Sequence, residues 1–492
     1  MTTLTYIFLL PLLAAITLAF VPRNFAVIMR AVAVGVTFVT MLLAVKMFWQ
    51  FNGAPADANG YKFVSTIPGL GAESLGIACK LGVDGLNVGL VLMGAIVAFA
   101  ATCVSWEIKQ RQKEFYILLL VMIGGILGTF ASLDIFFFYF FHELALIPTF
   151  IMIGVWGRGE DKNYATYQIT LYLTVGALLA LVGLIVLYVQ SGANTFDMAA
   201  LAQRLKTNPL SVSAQQLIFP FLLFGFGILV SLWPFHTWAP LGYGAAPTPT
   251  AMLHAGVLKK FGLYGLIRIA LPLLPDAAHS WLNVIALLCL GNILYVGLVA
   301  IRQKQLNLLI GNSSVAHMGF IFLGIASLNL IGITGAVVIM VAHGFLAALS
   351  FGLSGYLYQH TGTFEMKEWG GLIRKIPFIG VCFVMAAMAG CGLPGFANFV
   401  GEIMILAGAW DKYRWQAVCA VLGLVVTAGY MLKTVRGAIQ GPLNPRWNGL
   451  HDAGPVERLP YLLLITILIV VGCMPGVLLP TITSATRVIL NG

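Results

Sequence analysis

The feature that most constrains this chain is a succession of long apolar runs separated by short polar loops. About 20 apolar residues is the length that an α-helix needs to cross the hydrocarbon core of a bilayer. The runs span 4–21, 26–48, 84–106, 115–133, 135–156, 165–189, 217–238, 247–270, 281–300, 307–328, 331–358, 377–409, 414–438 and 459–481. The sequence therefore predicts an all-α polytopic membrane protein with about 14 transmembrane helices.

The composition excludes a soluble enzyme and a large domain outside the membrane. Of the 492 residues, 60% are hydrophobic and 9% charged, whereas soluble proteins carry about a quarter charged residues. The seven cysteines form no CxxC pair and no metal-ligand or phosphate-loop motif is present, so we expect no metal and no cofactor in this chain. The N-terminus lacks the features of a cleaved signal peptide, so we expect run 4–21 to be a retained helix.

The net charge of +10 predicts an orientation in the lipid bilayer rather than binding to nucleic acid. With the N-terminus outside, 15 loop Lys and Arg residues lie in the cytoplasm. Seven lie on the opposite side: Lys62, Lys80, Arg204, Lys206, Lys412, Arg414 and Arg487. Because basic loops are retained in the cytoplasm, we expect a cell inner-membrane protein with both termini on the periplasmic side.

Two runs contain a proline at mid-membrane depth. Pro234 interrupts the seventh run and Pro394 the twelfth, and proline cannot donate the backbone hydrogen bond that a helix needs. Because the breaks lie five runs apart, we predict two inverted five-helix repeats with broken helices 7 and 12, an architecture typical of ion transport. The predicted division is 1–110 for helices 1–3, 111–272 and 273–440 for the repeats, and 441–492 for helix 14.

Seven ionisable side chains lie well inside apolar runs, where a charge costs about 2.5 to 3.5 kcal/mol on insertion scales. They are Glu143, Lys259, Lys260, His254, His317, His343 and Glu402. Such residues usually mark ion pathways, although a glutamate can also pair with a lysine and a lone histidine can be a hydrogen-bonded core residue. His142 and His236 are weaker candidates, and an interfacial position also explains His236.

Several segments resemble the M-type antiporter-like subunit of respiratory complex I. They cover nearly the whole chain in order: FHELALIPTFIMIGVWG (141–157), PFHTWAP (234–240), AGVLKKFGLYGLIR (255–268), SSVAHMGF (313–320), AHGFLAALSFGLSGYLY (342–358) and GLPGFANFVGEIMIL (392–406). The resemblance implies fourteen helices with two inverted repeats and one proton channel of the membrane arm. It also implies roles for the helix-five glutamate, the helix-eight lysine, two central histidines and the helix-twelve glutamate: Glu143, Lys260, His317, His343 and Glu402.

This sequence departs from the family pattern at two lysine positions. Leu229 stands where the family usually has the helix-seven lysine that partners the helix-five glutamate, and Gln168 replaces a lysine in helix six. Lys259 replaces an apolar position beside the shared Lys260. We therefore hypothesise that the charge moved from helix seven to helix eight, with one of the two lysines approaching Glu143, because neighbouring residues diverge by about 100° on a helix.

The function implied by the resemblance is proton translocation within an NADH-quinone oxidoreductase, driven by quinone reduction in other subunits. The expected partners are other membrane-arm subunits, including other antiporter-like subunits. Alternatives are the equivalent subunit of a membrane-bound hydrogenase and a subunit of a Mrp-like cation/proton antiporter. A further alternative is a structural membrane spacer, in which the lost lysines indicate a dead channel.

Overall fold

The computed structural model describes residues 2–491. The helices follow the apolar runs closely, with polar loops between them. In chain order they are α1 Thr3–Phe20, α2 Ala26–Gln50, α3 Val88–Val104, α4 Gln112–Ala131, α5 Ile135–Trp156, α6 Lys162–Ser191, α7 Met198–Thr207, α8 Val212–Val230, α9 Trp238–Ala245, α10 Thr248–Leu253, α11 Lys260–Gly265, α12 Leu271–Leu273, α13 Pro275–Leu290, α14 Gly297–Arg302, α15 Leu306–Ser327, α16 Leu330–Thr361, α17 Pro377–Gly390, α18 Ala397–Trp410, α19 Arg414–Thr434, α20 Pro455–Cys473 and α21 Leu479–Asn491.

Twelve helical segments in the described residues are long and apolar enough to cross a membrane. Two further predicted spans are divided into shorter pieces. Run 247–270 corresponds to α10 to α12, which are joined by π-helical turns at His254–Leu258 and Leu266–Ala270. Run 377–409 corresponds to α17 and α18, each 14 residues long. A polytopic helical membrane fold is thus confirmed, while the count of fourteen and the inverted repeats stay predictions.

Both predicted helix breaks are confirmed. The chain leaves the helix between Val230 and Trp238, around Pro234, and again between Gly390 and Ala397, around Pro394. At the first break the side chain of Asn292 replaces the missing helical partners. Its amide donates to the Ser231 carbonyl at 2.9 Å and its oxygen accepts from the backbone N–H of Trp233 at 2.8 Å. Irregular backbone at this depth is tolerated because these polar groups are satisfied inside the protein.

Residues 62–83, which lie between the predicted helical runs 26–48 and 84–106, form a short β-hairpin that the sequence analysis did not predict. Strands β1 Lys62–Ala72 and β2 Ile77–Val83 form an antiparallel hairpin between α2 and α3. This segment is too polar and glycine-rich to span a bilayer, and its backbone groups pair with each other outside the helical bundle. We call the end of the bundle that carries β1 and β2 the hairpin face, and the opposite end, with loops 105–111 and 362–376, the loop face.

The final run also differs from the prediction of one helix over 459–481. The helix α20 ends at Cys473, and the amphipathic helix α21 follows it after Pro475. The chain ends lie at the same end of the bundle: the Thr2 hydroxyl donates to the Phe63 carbonyl of β1 at 3.1 Å. Near α21, a Cβ atom on Gly85 would lie 2.0 Å from the Thr481 carbonyl oxygen. Both ends of the described chain therefore lie on the hairpin face.

The centre of the bundle is formed by α15 and α16, which are buried along nearly their whole length. Small residues let α18 pack closely against α16. A Cβ on Gly401 would lie 2.9 Å from the Gly335 carbonyl oxygen, and one on Gly408 would lie 2.5 Å from the Gly332 nitrogen. Close backbone approach through glycine is typical of helix pairs in membranes. Because α15 and α16 carry His317 and His343, this packing places both histidines on the axis of the protein.

Candidate functional site

Lys259 and Lys260 follow the π-helical turn His254–Leu258 at the middle of the bundle. The turn shifts the backbone N–H of Lys259 onto the His254 carbonyl at 3.1 Å, so the Ala255 carbonyl is not taken by its usual helical partner. The ammonium of Lys260 donates to that freed carbonyl at 2.8 Å. Both lysine side chains are fully buried. The π-turn therefore supplies an oxygen ligand for a charge far from either surface.

Lys260 also connects to the two central histidines. Its Nζ lies 2.9 Å from His343 Nδ1 on α16, and the rings of His343 and His317 are 5.5 Å apart between centroids. His317 Nδ1 lies 2.7 Å from the Ser313 carbonyl, and its Nε2 lies 3.1 Å from the Gly390 carbonyl. Because each ring nitrogen faces an acceptor, His317 can hold one or two protons without moving. The structure thus brings Lys260, His343 and His317 together in one line.

That line ends at the second helix break, beside Glu402. Gly390 is the last residue of α17, and Gly392 within the break has φ +66°. A Cβ at Gly392 would lie 2.0 Å from Glu402 Oε2, so only glycine leaves room for the carboxyl group. Among residues 2–491, neither carboxyl oxygen of Glu402 has a hydrogen-bond partner, and the same holds for the side-chain amide of Asn398 one turn earlier. The carboxyl group is therefore buried with both oxygens available for proton exchange.

Lys259 points away from Lys260, toward α15 and α9. Its Nζ donates to Ser314 Oγ at 2.9 Å and lies 5.4 Å from the centre of the Tyr243 ring. The expectation that the two neighbouring lysines face different surroundings is confirmed. The hypothesis that one of them approaches Glu143 is not supported, because neither lysine lies within 4.0 Å of that carboxylate. Lys259 therefore contacts Ser314 of α15 and Tyr243 of α9 instead of Glu143.

Glu143 lies at the edge of the bundle. Its side chain is 29% exposed, and its only basic contact within the described residues is His142 Nδ1 at 3.5 Å. The His142 ring stacks on Phe261 at 3.7 Å, and Phe261 in turn packs on Phe138 at 4.4 Å. Leu229 is buried nearby on α8, which also contributes Phe226 to this aromatic cluster. Apolar side chains therefore occupy the region where the family's helix-seven lysine would stand.

The remaining predicted site residue, His254, is buried between aromatic rings. The Trp238 and Tyr243 rings lie 5.6 Å and 5.2 Å from it, and His254 Nδ1 has no partner among residues 2–491. Because Lys259 also contacts the Tyr243 ring, His254 lies near Lys259 and not in the line formed by Lys260, His343 and His317. Of the two weaker candidates, His236 lies at the first break with Nδ1 3.2 Å from the Pro234 carbonyl. The side-chain amide of Gln168, at the second altered lysine position, donates to the Tyr164 hydroxyl at 2.7 Å.

Sequence reasoning missed two polar clusters at the ends of the bundle. On the loop face, Glu107 accepts hydrogen bonds from Arg158, from the Thr248 backbone and hydroxyl, and from Gln359. This carboxylate therefore fixes the start of α10, which leads to both lysines. On the hairpin face, Arg268 donates to Asp84 at 2.6 Å. Both acids stand at run boundaries in the sequence, where they look like ordinary loop charges.

A third missed contact lies beside the histidines. The Tyr430 hydroxyl on α19 donates to Ser313 Oγ at 2.9 Å and contacts Thr427 Oγ1 at 3.3 Å. Nothing in the sequence around Tyr430 distinguishes it from a core aromatic. Within residues 2–491, no three His, Cys, Asp or Glu side chains cluster closely enough to hold a metal ion. The described polar groups thus form a hydrogen-bonding set.

Comparisons with known proteins agree with this arrangement. The family model described as NADH:quinone oxidoreductase/Mrp antiporter, TM, matches residues 132–427. NAD(P)H-quinone oxidoreductase chain 4 1 from Picosynechococcus sp. is 34% identical over 475 residues, which cover 94% of this chain and 87% of that protein. NADH-quinone oxidoreductase subunit M from Rhodobacter capsulatus is 33% identical over 485 residues, covering 96% and 93%.

The fold has a match among solved structures. A chain of respiratory complex I from Thermus thermophilus with bound NADH superimposes with a TM-score of 0.89 and 28% sequence identity, and the match covers 100% of both chains. The chain belongs to the NADH:quinone oxidoreductase/Mrp antiporter family of membrane subunits.

Proposed function

We propose that this chain is a proton-translocating membrane-arm subunit of an NADH-quinone oxidoreductase. The observation that carries the proposal is the contact of Lys260 with His343 at 2.9 Å, continued by His317 toward the second helix break. A buried line of ionisable groups between two membrane faces is what proton transfer requires and what packing alone would avoid, since each buried charge costs about 2.5 to 3.5 kcal/mol. The similarity to quinone oxidoreductase subunits supports this function over the alternatives.

In the proposed pathway, a proton held at Lys260 passes through His343 and His317 to Glu402. Histidine accepts a proton on one ring nitrogen and releases it from the other, which suits the two middle positions. Lys259 and His254 form a side branch near Ser314 and supply protons to the axis rather than to Glu143. Glu143 lies apart from this route in the described residues, because neither lysine lies within 4.0 Å of its carboxylate.

The chain is proposed to carry no redox centre of its own. Quinone reduction in other subunits would drive the proton transfers, and other membrane-arm subunits, including antiporter-like ones, are its partners. The solved structure it resembles is a chain of such a complex. Its own residues hold and move protons, while the electrons follow a separate route.

The proposed function can be tested on the complex that contains this chain. Purification of the tagged chain in mild detergent should yield the other membrane-arm subunits together with an activity that oxidises NADH with a quinone. After reconstitution into vesicles, NADH should drive acidification of the lumen. Recovery of a hydrogenase, or cation/proton exchange without any electron donor, would support the corresponding alternative and contradict the proposal.

We also propose that the hairpin face is the periplasmic side of the inner membrane. The loop charges support this orientation, because 15 loop Lys and Arg residues lie on the loop face and seven on the hairpin face, not counting the helical Lys433 and Arg268. A reporter that is active only in the cytoplasm should therefore give no signal when it is fused after residue 492. The same reporter inserted in loop 362–376 should give a strong signal. The reverse pattern would overturn this orientation.

A further inference from the structure

A groove of about 500 Å³ opens at the loop face, outside the proposed proton pathway. Its apolar part is lined by Val34 of α2, Phe99 and Cys103 of α3, and Leu459 of α20. Tyr356 of α16 lies at its inner wall. The eight residues from Phe99 to Trp106 extend about 10 Å along the bundle axis. The groove therefore begins at the level of the membrane surface and continues into the depth of the acyl chains.

The opening of the groove, above this apolar part, carries an aromatic and a basic side chain. Trp106 is 52% exposed, as is typical of aromatic residues at the membrane interface. The Arg30 guanidinium lies over its ring at 5.1 Å. Arg30 precedes Val34 by one helical turn, so both side chains lie on the same side of α2. A cation and an indole thus stand together directly above an apolar crevice.

Arg30 has no carboxylate within 4.0 Å among the described residues, a property that it shares with Arg111, Arg302, Arg374 and Arg436 of the loop face. It differs from those four because it lies over Trp106, which lines the groove. Arg30 Nη2 donates to the Ile108 carbonyl at 3.3 Å, and its buried Nε has no partner in the described residues. Four loop-face arginines do pair with acids: Arg23, Arg158, Arg446 and Arg458. A guanidinium with free donors on a planar fork is the preferred partner of a phosphate.

One carboxylate borders the groove on its far side. Glu457 lies at the start of α20, and its Oε2 accepts the Gly454 N–H at 2.8 Å while the side chain stays exposed to water. It would repel an anion from the α20 side of the mouth. A phosphate would therefore be held on the α2–α3 side, next to Arg30 and Trp106.

We propose that this groove binds one anionic phospholipid, with its phosphate on Arg30 and one acyl chain between α2, α3 and α20. Three observations select this occupant: the free cation, the interfacial tryptophan and the apolar depth below them. The bound lipid would fill the space between α2 and α20 and so join an early helix to a late one at the loop face. This site is separate from the line through Lys260, so its failure would leave the proposed function intact.

The site can be tested by photocrosslinking in the intact complex. The complex would be reconstituted into vesicles that contain phosphatidylglycerol or phosphatidylcholine with a photoactivatable group in the acyl chain. After irradiation, we expect lipid adducts on peptides that contain Cys103 or residues 456–461, and more from phosphatidylglycerol. Arg30→Gln should lower the phosphatidylglycerol adducts about fivefold, because it removes charge-assisted hydrogen bonds to the phosphate. Val34→Trp should abolish adducts here by filling the crevice.

Arg23→Gln is the matched control. Arg23 lies on the same face just before α2, but it pairs with Glu114 and does not border the groove. Its adduct yield should equal that of the unchanged complex. Equal labelling by both lipids without an effect of Arg30→Gln would overturn the headgroup assignment. An absence of adducts would show that a neighbouring subunit covers the groove and would also overturn the proposal. If the complex with Arg30→Gln fails to assemble, the comparison of the two lipids and the Val34→Trp variant still test whether the groove binds an anionic phospholipid.

Discussion

Replacement of Lys260 by methionine is expected to reduce NADH-driven proton pumping by about ten- to hundredfold. The Lys260 ammonium makes two buried hydrogen bonds, to the Ala255 carbonyl and to His343 Nδ1. Hydrogen bonds to charged groups are worth about 1.5 to 3 kcal/mol, which corresponds to roughly ten- to hundredfold in the rate of a step. Pumping would be followed with a pH-sensitive dye in vesicles that contain the reconstituted complex.

Assembly of the Lys260→Met complex should be unaffected. Methionine fills a similar volume, and removal of a buried charge relieves an insertion cost of about 2.5 to 3.5 kcal/mol. Lys433→Met is a matched control, because Lys433 is also a helical lysine bonded to a carbonyl, that of Ile301 at 3.0 Å, but it is exposed at the loop face. We expect that variant to pump normally. Normal pumping by the assembled Lys260→Met complex would contradict the proposed axis.

His343→Ala tests whether the two residues act as one unit. If Lys260 passes its proton through His343, either replacement interrupts the same step, and the double replacement should be no worse than the more severe single one. Losses that multiply would instead indicate two independent routes. The contact at 2.9 Å makes the first outcome our expectation.

The membrane helices and the two breaks could be predicted because each depends on local sequence. An apolar run of bilayer length has few alternatives to a helix, and proline removes a backbone donor wherever it stands. The hairpin at 62–83 could not be predicted in this way because it lies outside the bilayer, where the length of an apolar run does not indicate the secondary structure. Helix α21 could not be predicted for the same reason, since its apolar residues form one side of a short surface helix rather than a continuous apolar run.

The partners of the buried charges could not be predicted, because they depend on small changes in helix geometry. The sequence indicates that Lys259 and Lys260 diverge, but the π-turn before them decides the direction in which each points. That turn rotates Lys259 onto Ser314 of α15 instead of toward Glu143. Similarly, the GCGLPG segment indicates a break, yet only the packed structure places Gly392 against the carboxyl group of Glu402. Tertiary packing therefore determines which of the predicted site residues can exchange protons.

Replacement of Glu402 by glutamine is expected to lower proton pumping about a hundredfold, since a positioned proton-transferring group contributes about 10²- to 10⁴-fold. Glutamine has the same shape, and neither carboxyl oxygen loses a hydrogen bond, because neither has a partner within residues 2–491. Assembly and thermal stability of the complex should therefore be unchanged. The measurement is the number of protons pumped per NADH oxidised, with the amount of assembled complex determined on a native gel.

Glu143→Gln provides the comparison that separates the two halves of the chain. Glu143 is the acid of the first half, but its basic contact within the described residues is His142 rather than a lysine, and Leu229 leaves no lysine on α8 beside it. A smaller loss of pumping is therefore expected for Glu143→Gln than for Glu402→Gln. An equal loss would mean that the route also passes through Glu143, whose side chain is 29% exposed and so can take up a proton from the surface of this chain. In that case the proton would enter at Glu143, and the axis through Lys260 would be the second part of its route.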